Sequence, residues 1–232
     1  MKKTDFVCGC VFLLFTVSAF AEELRYISPK TSGLDIELSR VNLVASVFNE
    51  DRIAYRYELS EGKKLSCIET QKTFRVRQLM PSEGTLYLFI PKAMLLANCS
   101  IRSSRADIVL EKVQAVHLLI MMNGGAVSFK EGRFKNTVIN LAQGKLTLDN
   151  TSVIRSAAVA VSSANADILL AGSEADYHID YVHNGSSFMI GSQEYVKNPG
   201  QYGNPAAKRR IIFSGSASSA AIRFTEKETA AQ

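Results

Sequence analysis

The residues of this 232-residue chain that come closest to a metal-binding pattern are His178, Asp180 and His183. Alternate side chains of an extended strand share a face, so His178 and Asp180 lie together and His183 lies on the opposite face. A zinc site needs three or four ligands that converge at about 2 Å from the ion. Here convergence requires a turn near Tyr181. We therefore expect outward polar side chains and no metal site. The third histidine, His117, points outward by itself.

Nucleophilic and acid–base chemistry have weaker candidates. The segment Asn184-Gly185-Ser186-Ser187 contains two serines but lacks the strand–turn–helix context that exposes a nucleophile, and Asn-Gly is typical of a tight turn. Paired carboxylates occur at Glu50-Asp51 and at Glu174 with Asp176, where we expect solvated edges outside any pocket. The sequence predicts no catalytic residues.

Calcium and phosphate sites are also disfavoured. Calcium prefers 6–8 oxygen ligands, whereas the chain supplies about one aspartate per ~20 residues, as in a solenoid without calcium-binding turns. The glycines of Asn123-Gly124-Gly125 are not followed by a helical pattern, so they do not form a phosphate loop. We expect no cofactor. The aspartates concerned are Asp107, Asp149, Asp167 and Asp180.

The elements that position these residues are predicted to be strands. Between residues 24 and 90, apolar residues alternate with polar ones, as in Ile53-x-Tyr55-x-Tyr57-x-Leu59 and Leu86-x-Leu88-x-Ile90. Turns such as Pro81-Ser82-Glu83-Gly84 separate these runs. Residues 22–90 are therefore predicted to form an antiparallel β region of about six strands.

From residue 91 the pattern becomes a repeat. Apolar anchors recur at steps of 19, 19, 22, 20 and 34 residues, at Ile108, Val127, Leu146, Ile168, Phe188 and Ile222. Two residues before each anchor is a small residue, which lets the chain turn a corner: Ala106, Gly125, Gly144, Ala166, Ser186 and Ala220. A repeat near 20 residues predicts that 91–224 form a β-solenoid of about six rungs, each stacked on its neighbours. A β-sandwich is the alternative.

Two segments are expected to lie outside the rungs. Residues 193–208 contain Asn198-Pro199-Gly200 and Gly203-Asn204-Pro205, a density of turn residues that predicts an inserted loop. Residues 225–232 form a polar tail.

The first 21 residues have the three parts of a cleavable Sec-type signal peptide. Lys2-Lys3 is a basic start, residues 11–20 are uncharged and largely apolar, and Ala19-Phe20-Ala21 is a small-x-small cleavage site. The apolar run is shorter than the ~20 residues that span a bilayer. We expect a mature protein that begins at Glu22, is exported to the periplasm or the cell exterior, and has no transmembrane segment.

Cysteine positions bear on both anchoring and stability. Cys8 and Cys10 precede the apolar run, whereas a lipid-modified cysteine follows it, so a lipoprotein is the weaker alternative. After cleavage only Cys67 and Cys99 remain. An oxidising compartment permits a disulfide between them if their Cα atoms lie within ~7 Å. Cys99 fits a buried thiol equally well.

Net charge excludes one class of partner. Loss of two lysines and one aspartate with the signal peptide lowers the net charge from +5 to +4. The cluster Lys208-Arg209-Arg210 is short and has no interleaved aromatic residues, so it predicts a strand start or loop and no nucleic acid partner.

Several stretches of the chain match the pattern of a known domain family: Ser32–Leu38, Ile90-Pro91-Lys92, Ala106–Leu110, Ala166–Leu170, Asp176–Ile179 and Ile190–Tyr195. They resemble a bacterial extracytoplasmic domain family of unknown function, the auto-transporter adhesin or head-GIN type. The resemblance covers about residues 30–224 and implies a β-solenoid and an envelope location, with no catalytic or binding residues. Where that family usually has a glycine before the aspartate of its repeat, this chain has Ala106 and Ala166.

These patterns favour a non-enzymatic binding or scaffolding domain of the cell envelope, whose partner is an unidentified protein or glycan. One alternative is a polysaccharide-acting enzyme with a shallow site on the solenoid face. Its clustered acidic or basic residues are not evident, since the middle rung, 137–150, offers only Lys145 and Asp149. The other alternative is a structural protein that oligomerises through its end rungs.

Overall fold

The structure of the protein, a computed structural model, describes residues 23–185, 187–195 and 198–226. The predicted all-β class is confirmed, since the described residues form strands and two short 3-10 helices, Ser60–Gly62 and Glu174–Asp176. The predicted signal peptide, 1–21, and residues 227–232 of the predicted tail lie outside the described residues. None of the helices in the described part of the chain is both long and apolar enough to cross a bilayer.

In chain order the strands are β1 (Arg25–Tyr26), β2 (Gly33–Leu38), β3 (Val41–Phe48), β4 (Ala54–Leu59), β5 (Ser66–Glu69), β6 (Thr73–Arg77), β7 (Gly84–Pro91), β8 (Leu96–Ser103), β9 (Ile108–Glu111), β10 (Gln114–Met122), β11 (Ala126–Lys130), β12 (Arg133–Leu141), β13 (Gly144–Ser162), β14 (Ala164–Ser173), β15 (Tyr177–Asn184), β16 (Ser187–Ile190), β17 (Gln193–Glu194), β18 (Gly200–Gly203), β19 (Arg209–Ser216) and β20 (Ser219–Glu226).

The strands form two stacks, here called sheet 1 and sheet 2. Sheet 1 has the spatial order β1-β4-β7-β3-β9-β11-β13-β14-β20-β16-β17. Sheet 2 has the order β5-β6-β2-β8-β10-β12-β13-β19-β15-β18. The long strand β13 belongs to both, so the hydrogen bonding forms one large mixed sheet. One strand of each sheet, joined by a corner, makes a layer.

Alternation of side chains produces a core between the sheets. Ile101, Ile120 and Ile139 lie opposite one another in β8, β10 and β12 and are fully buried. In sheet 1, Val127 pairs with Ile108 on one side and Leu146 on the other, which is the register predicted for these three anchors.

The predicted register fails after β12. Ile168 pairs with Leu148 and not with Leu146, because β14 pairs with β13 at an offset of 20 residues, as Leu146 with Ala166 shows, whereas the two anchors are 22 residues apart. The order of the last layers also differs, since β20 lies between β14 and β16. Ile222 therefore neighbours Ile168, while Phe188 belongs to the layer beyond.

The N-terminal strands correct a second expectation. Leu34 of β2 pairs in parallel with Phe74 and Cys99, and β3 pairs in parallel with β7 and β9. In the described region before residue 91, the antiparallel pairs are β1 with β4, β4 with β7 and β5 with β6. Period-two alternation shows that a strand is half buried and does not encode the direction of its neighbour. A single apolar core runs through the residues on both sides of position 91.

Small residues permit the corners between sheets. Gly125 and Gly144 adopt φ values of 98° and 116°. A Cβ atom at Gly144 would lie 1.9 Å from the carbonyl oxygen of Gly125, and one at Gly125 would lie 2.2 Å from that of Ala106. Consecutive layers thus approach too closely at these corners for any side chain.

Antiparallel strands cover both ends of the stack. At one end β4 and β1 extend sheet 1 beyond β7, and β5 extends sheet 2 beyond β6. At the other end β17 pairs with β16, and β18 pairs with β15. The described parts of the predicted insertion, 193–195 and 198–208, thus lie outside the parallel layers, and β17 and β18 cover the last of these layers.

Candidate binding surfaces

Asp180 lies at the centre of a polar cluster on the outer face of sheet 2. Its carboxylate accepts hydrogen bonds from Arg210 Nε at 2.8 Å and Gln201 Nε2 at 3.0 Å, and lies 3.3 Å from His178 Nε2. Burial alone raises the pKa of Asp180, but the hydrogen bond and charge of Arg210 outweigh it, so that the pKa lies below its ordinary value. The cluster links β15, β18 and β19, so we assign it a structural role.

The predicted division of the histidines is confirmed. His178 and Asp180 share the outer face, while the His183 ring lies inside, stacked on Phe188 at 5.2 Å between centroids. Burial lowers the pKa of His183 below its ordinary value, against a smaller opposite effect of the Ser218 backbone.

The remaining acidic candidates are dispersed. Asp107 accepts a hydrogen bond from the Ala126 backbone at 2.9 Å, and Asp167 pairs with Arg223. Among the described residues, no group of three or more His, Cys, Asp or Glu side chains could hold a metal ion.

The predicted carboxylate pair Glu174 and Asp176 separates. Asp176 lies 3.6 Å from Arg209, whereas Glu174 lines a cavity. The expectation that Glu174 lies outside any pocket is wrong, because the inserted segment, distant in sequence, folds over it.

The structure does not join Cys67 and Cys99 by a disulfide. Cys67 pairs with Val76 on β6, and β2 then separates β6 from β8, which carries Cys99. Three strand spacings of ~4.8 Å separate the cysteine strands by roughly 14 Å, beyond the reach of a disulfide. Burial raises the pKa of Cys99 to about 12, so this residue is an apolar core residue.

The outer face of sheet 2 carries an exposed apolar patch that the repeat analysis missed. Leu119, Val138, Ala158 and Ile212 occupy one register position on neighbouring strands β10, β12, β13 and β19. Val138 is 39% exposed and Ile212 is 51% exposed. Beside them, Met121 is 43% exposed and Val182 is 46% exposed. We call these six residues the apolar face.

The sequence contains a pattern that indicates this exposed apolar face. A strand with one wet face alternates apolar and polar residues, whereas residues 118–122 read Leu-Leu-Ile-Met-Met without a break. Leu118, Ile120 and Met122 fill the core, so Leu119 and Met121 face outward. A continuous apolar run in a half-buried strand therefore predicts apolar side chains on its outer face.

Polar groups and grooves border the apolar face. On one side Asn136 bonds Ser156 at 3.2 Å and lies 3.4 Å from the His117 ring nitrogen. On another, a shallow groove of about 420 Å³ separates Pro199 from Ile212. The face therefore has an apolar centre and a polar rim.

A second groove, of about 940 Å³, follows the corners from sheet 2 to sheet 1. Its exposed lining is mainly polar and includes Arg105, Asp107, Asn123 and Gln143. The Asn123-Gly124-Gly125 segment belongs to this groove and is followed by strand β11, so a phosphate loop is absent there.

Comparison with known proteins gives two likenesses over most of the chain. No family model matches. An uncharacterized protein of Treponema pallidum (strain Nichols) is 28% identical over 234 residues, which cover 99% of this chain and 95% of the relative. The crystal structure of a "putative cell adhesion protein" from Clostridium sporogenes ATCC 15579 covers 88% of this chain and 98% of that chain, at 12% identity and a TM-score of 0.48. Neither relative is named for a ligand.

Proposed function

We propose that this chain is a non-enzymatic binding or scaffolding domain of the cell envelope, built as a β-solenoid and exported by residues 1–21. The observation that carries the binding role is the apolar face, where Val138, Ile212, Met121 and Val182 are all more than one-third exposed. Contiguous exposed apolar side chains rimmed by polar groups are characteristic of interaction surfaces.

The partner at this face is a protein. Protein interfaces combine an apolar centre with a polar rim and ordered water, as the apolar face does with its Asn136 border. A glycan presents hydroxyl groups that need hydrogen-bonding partners, and the outward side chains of Leu119, Val138 and Ile212 have none to offer.

The solenoid architecture has its own support. Parallel neighbours such as Ile108 and Val127 come from chain segments 19 residues apart, and stacking of such segments builds one continuous apolar core. The short edge strands, β1 and β17 with 2 residues each, weigh against the alternative of end-to-end assembly.

Site-specific photocrosslinking in cells tests the binding role. A photoreactive amino acid replaces Val138, or Lys145 on the outer face of sheet 1 as the matched control. We expect the Val138 variant to form a covalent adduct with one envelope protein, identified by mass spectrometry, and the Lys145 variant to form none. Ile212→Lys should abolish that adduct, because it places a charge among the apolar side chains of the face.

Three outcomes contradict the proposal. The Val138 variant forms no adduct, both variants form the same adducts, or the adduct survives Ile212→Lys. An adduct of twice the chain mass would assign the face to a second copy and favour the oligomerising alternative.

A further inference from the structure

The insertion creates a cavity of about 600 Å³ at the end of sheet 1, here called the cap pocket. The turn between β16 and β17, strand β18, the 3-10 helix Glu174–Asp176 and the end of β20 surround it. Ile190 is buried at its base, and the rings of Tyr202 and Phe224 pack against the core while staying partly exposed. The volume falls in the range of small-molecule pockets, ~300–1,000 Å³.

A hydrogen bond and an aromatic contact organise one wall of the cap pocket. Tyr195 donates its hydroxyl to Gln193 Oε1 at 3.1 Å, and its ring packs edge-on against Tyr202 at 5.3 Å. Glu174 and Tyr202 both line the pocket, and burial, with the Glu174 carboxylate as a smaller cause, raises the pKa of Tyr202 above its ordinary value. The Tyr202 hydroxyl therefore remains protonated at neutral pH.

The mouth of the cap pocket is kept open by Gly191. This residue has φ of 61°, and a Cβ atom there would lie 3.8 Å from the Tyr202 hydroxyl oxygen. A larger side chain at this position would extend towards that hydroxyl. The turn therefore favours glycine both for its conformation and for access.

The rim of the cap pocket offers both acceptors and donors. Glu174 and Glu226 supply carboxylates, Gln193 supplies an amide, and Arg223 supplies a guanidinium that Asp167 also binds. A ligand that satisfies both kinds of group must itself donate and accept, as hydroxyl groups do. A simple cation would meet the positive charge of Arg223 and would leave the rim donors unused.

We propose that the cap pocket binds one neutral pyranose unit of an envelope saccharide. The C–H face of the sugar packs on the Tyr202 and Phe224 rings, and its hydroxyls bond Glu174, Glu226 and Gln193. This site is separate from the apolar face and goes beyond the proposed protein-binding role.

Saturation-transfer difference NMR on the folded mature chain tests the assignment. The probes are the methyl pyranosides of glucose, galactose, mannose and N-acetylglucosamine at millimolar concentration. We expect transfer to the ring protons of at least one probe. Glu174→Gln should weaken that binding at least tenfold, because it removes the carboxylate acceptor with little change in shape.

Controls separate binding from folding. Glu58→Gln, at the opposite end of the stack, should leave binding unchanged. Gln193→Ala changes an exposed side chain and should weaken binding with no change in melting temperature. This variant therefore tests the site even if Glu174→Gln disturbs the fold.

The proposal is overturned if no pyranoside receives saturation, if Gln193→Ala and Glu174→Gln both bind as the wild type does, or if tetramethylammonium binds the site in place of every sugar. None of these results affects crosslinking from Val138, so failure of the sugar site and failure of the protein-binding face are distinguishable.

Discussion

Gly144 shows how a single residue sets the spacing of layers. Its φ is 116°, and a Cβ atom added there would lie only 1.9 Å from the Gly125 carbonyl oxygen, which leaves no room for a side chain. Gly144→Val should therefore lower the free energy of unfolding by at least about 2 kcal/mol, because it adds backbone strain and a clash. Lys145→Val, one residue later and exposed, should stay within about 0.5 kcal/mol. Urea denaturation measures both, and equal losses would contradict the corner geometry.

His183 makes stability depend on pH. Because burial beside Phe188 and Phe213 lowers its pKa below 6.5 in the folded state, the unfolded chain binds more protons as the pH falls. The free energy of unfolding should therefore decrease as the pH falls below about 6.5. His183→Leu should reduce this loss between pH 7.5 and 5.5. His117→Leu, which removes an exposed ring, is the control, and an identical reduction there would refute the assignment.

The positions of some candidate functional side chains could be predicted from the sequence. Period two correctly placed His178 and Asp180 on one face and His183 on the other. The hydrogen-bonding partners of Asp180 could not be predicted. Arg210 and Gln201 belong to strands that neighbour β15 only because of the unpredicted order of the last layers. For the same reason, the sequence did not predict that Glu174 and Tyr202 would line one pocket.

Elements are held in place by stacked apolar side chains, and Leu146 provides the test. It is fully buried between Val127 and Ala166 of the neighbouring strands. Leu146→Ala should cost about 2–5 kcal/mol of unfolding free energy through lost burial and a residual cavity. Thr147→Ala, on the outer side, should cost no more than about 0.5 kcal/mol. Thermal and urea unfolding of both variants decide it, and similar costs would mean that the register is wrong.

Element order was the part that periodicity could not supply. Ile108, Val127 and Leu146 were aligned correctly because equal steps of 19 residues encode equal layers. The step from Leu146 to Ile168 is 22 residues, but β14 pairs with β13 at an offset of 20, so the predicted pairing is wrong by two residues. Strand β20 has the same alternation of apolar and polar residues as the other strands. Its sequence therefore does not predict that it lies between β14 and β16.

At the scale of the whole molecule, export is the first property to test. The basic start, apolar run and Ala19-Phe20-Ala21 predict cleavage before Glu22. Intact-mass spectrometry of the protein from the envelope fraction should give the mass of residues 22–232. Ala19→Leu and Ala21→Leu together should block processing by removing the small residues. A mass that retains residues 1–21, or one that carries a lipid on Cys10, would contradict the prediction.

The strands that cover the ends of the stack should limit the addition of further copies of the chain. The strands β15 and β16 would each offer unpaired backbone groups along one side if β17 and β18 were absent, and such edges recruit further strands. Replacing residues 193–207 by a short Gly/Ser linker should therefore produce concentration-dependent oligomers larger than any that the unaltered chain forms. Light scattering coupled to size exclusion measures the change, with truncation after Glu226 as the control because it keeps both covering strands. A folded, monomeric linker variant would show that β17 and β18 serve the cap pocket alone and that the stack is closed by other means.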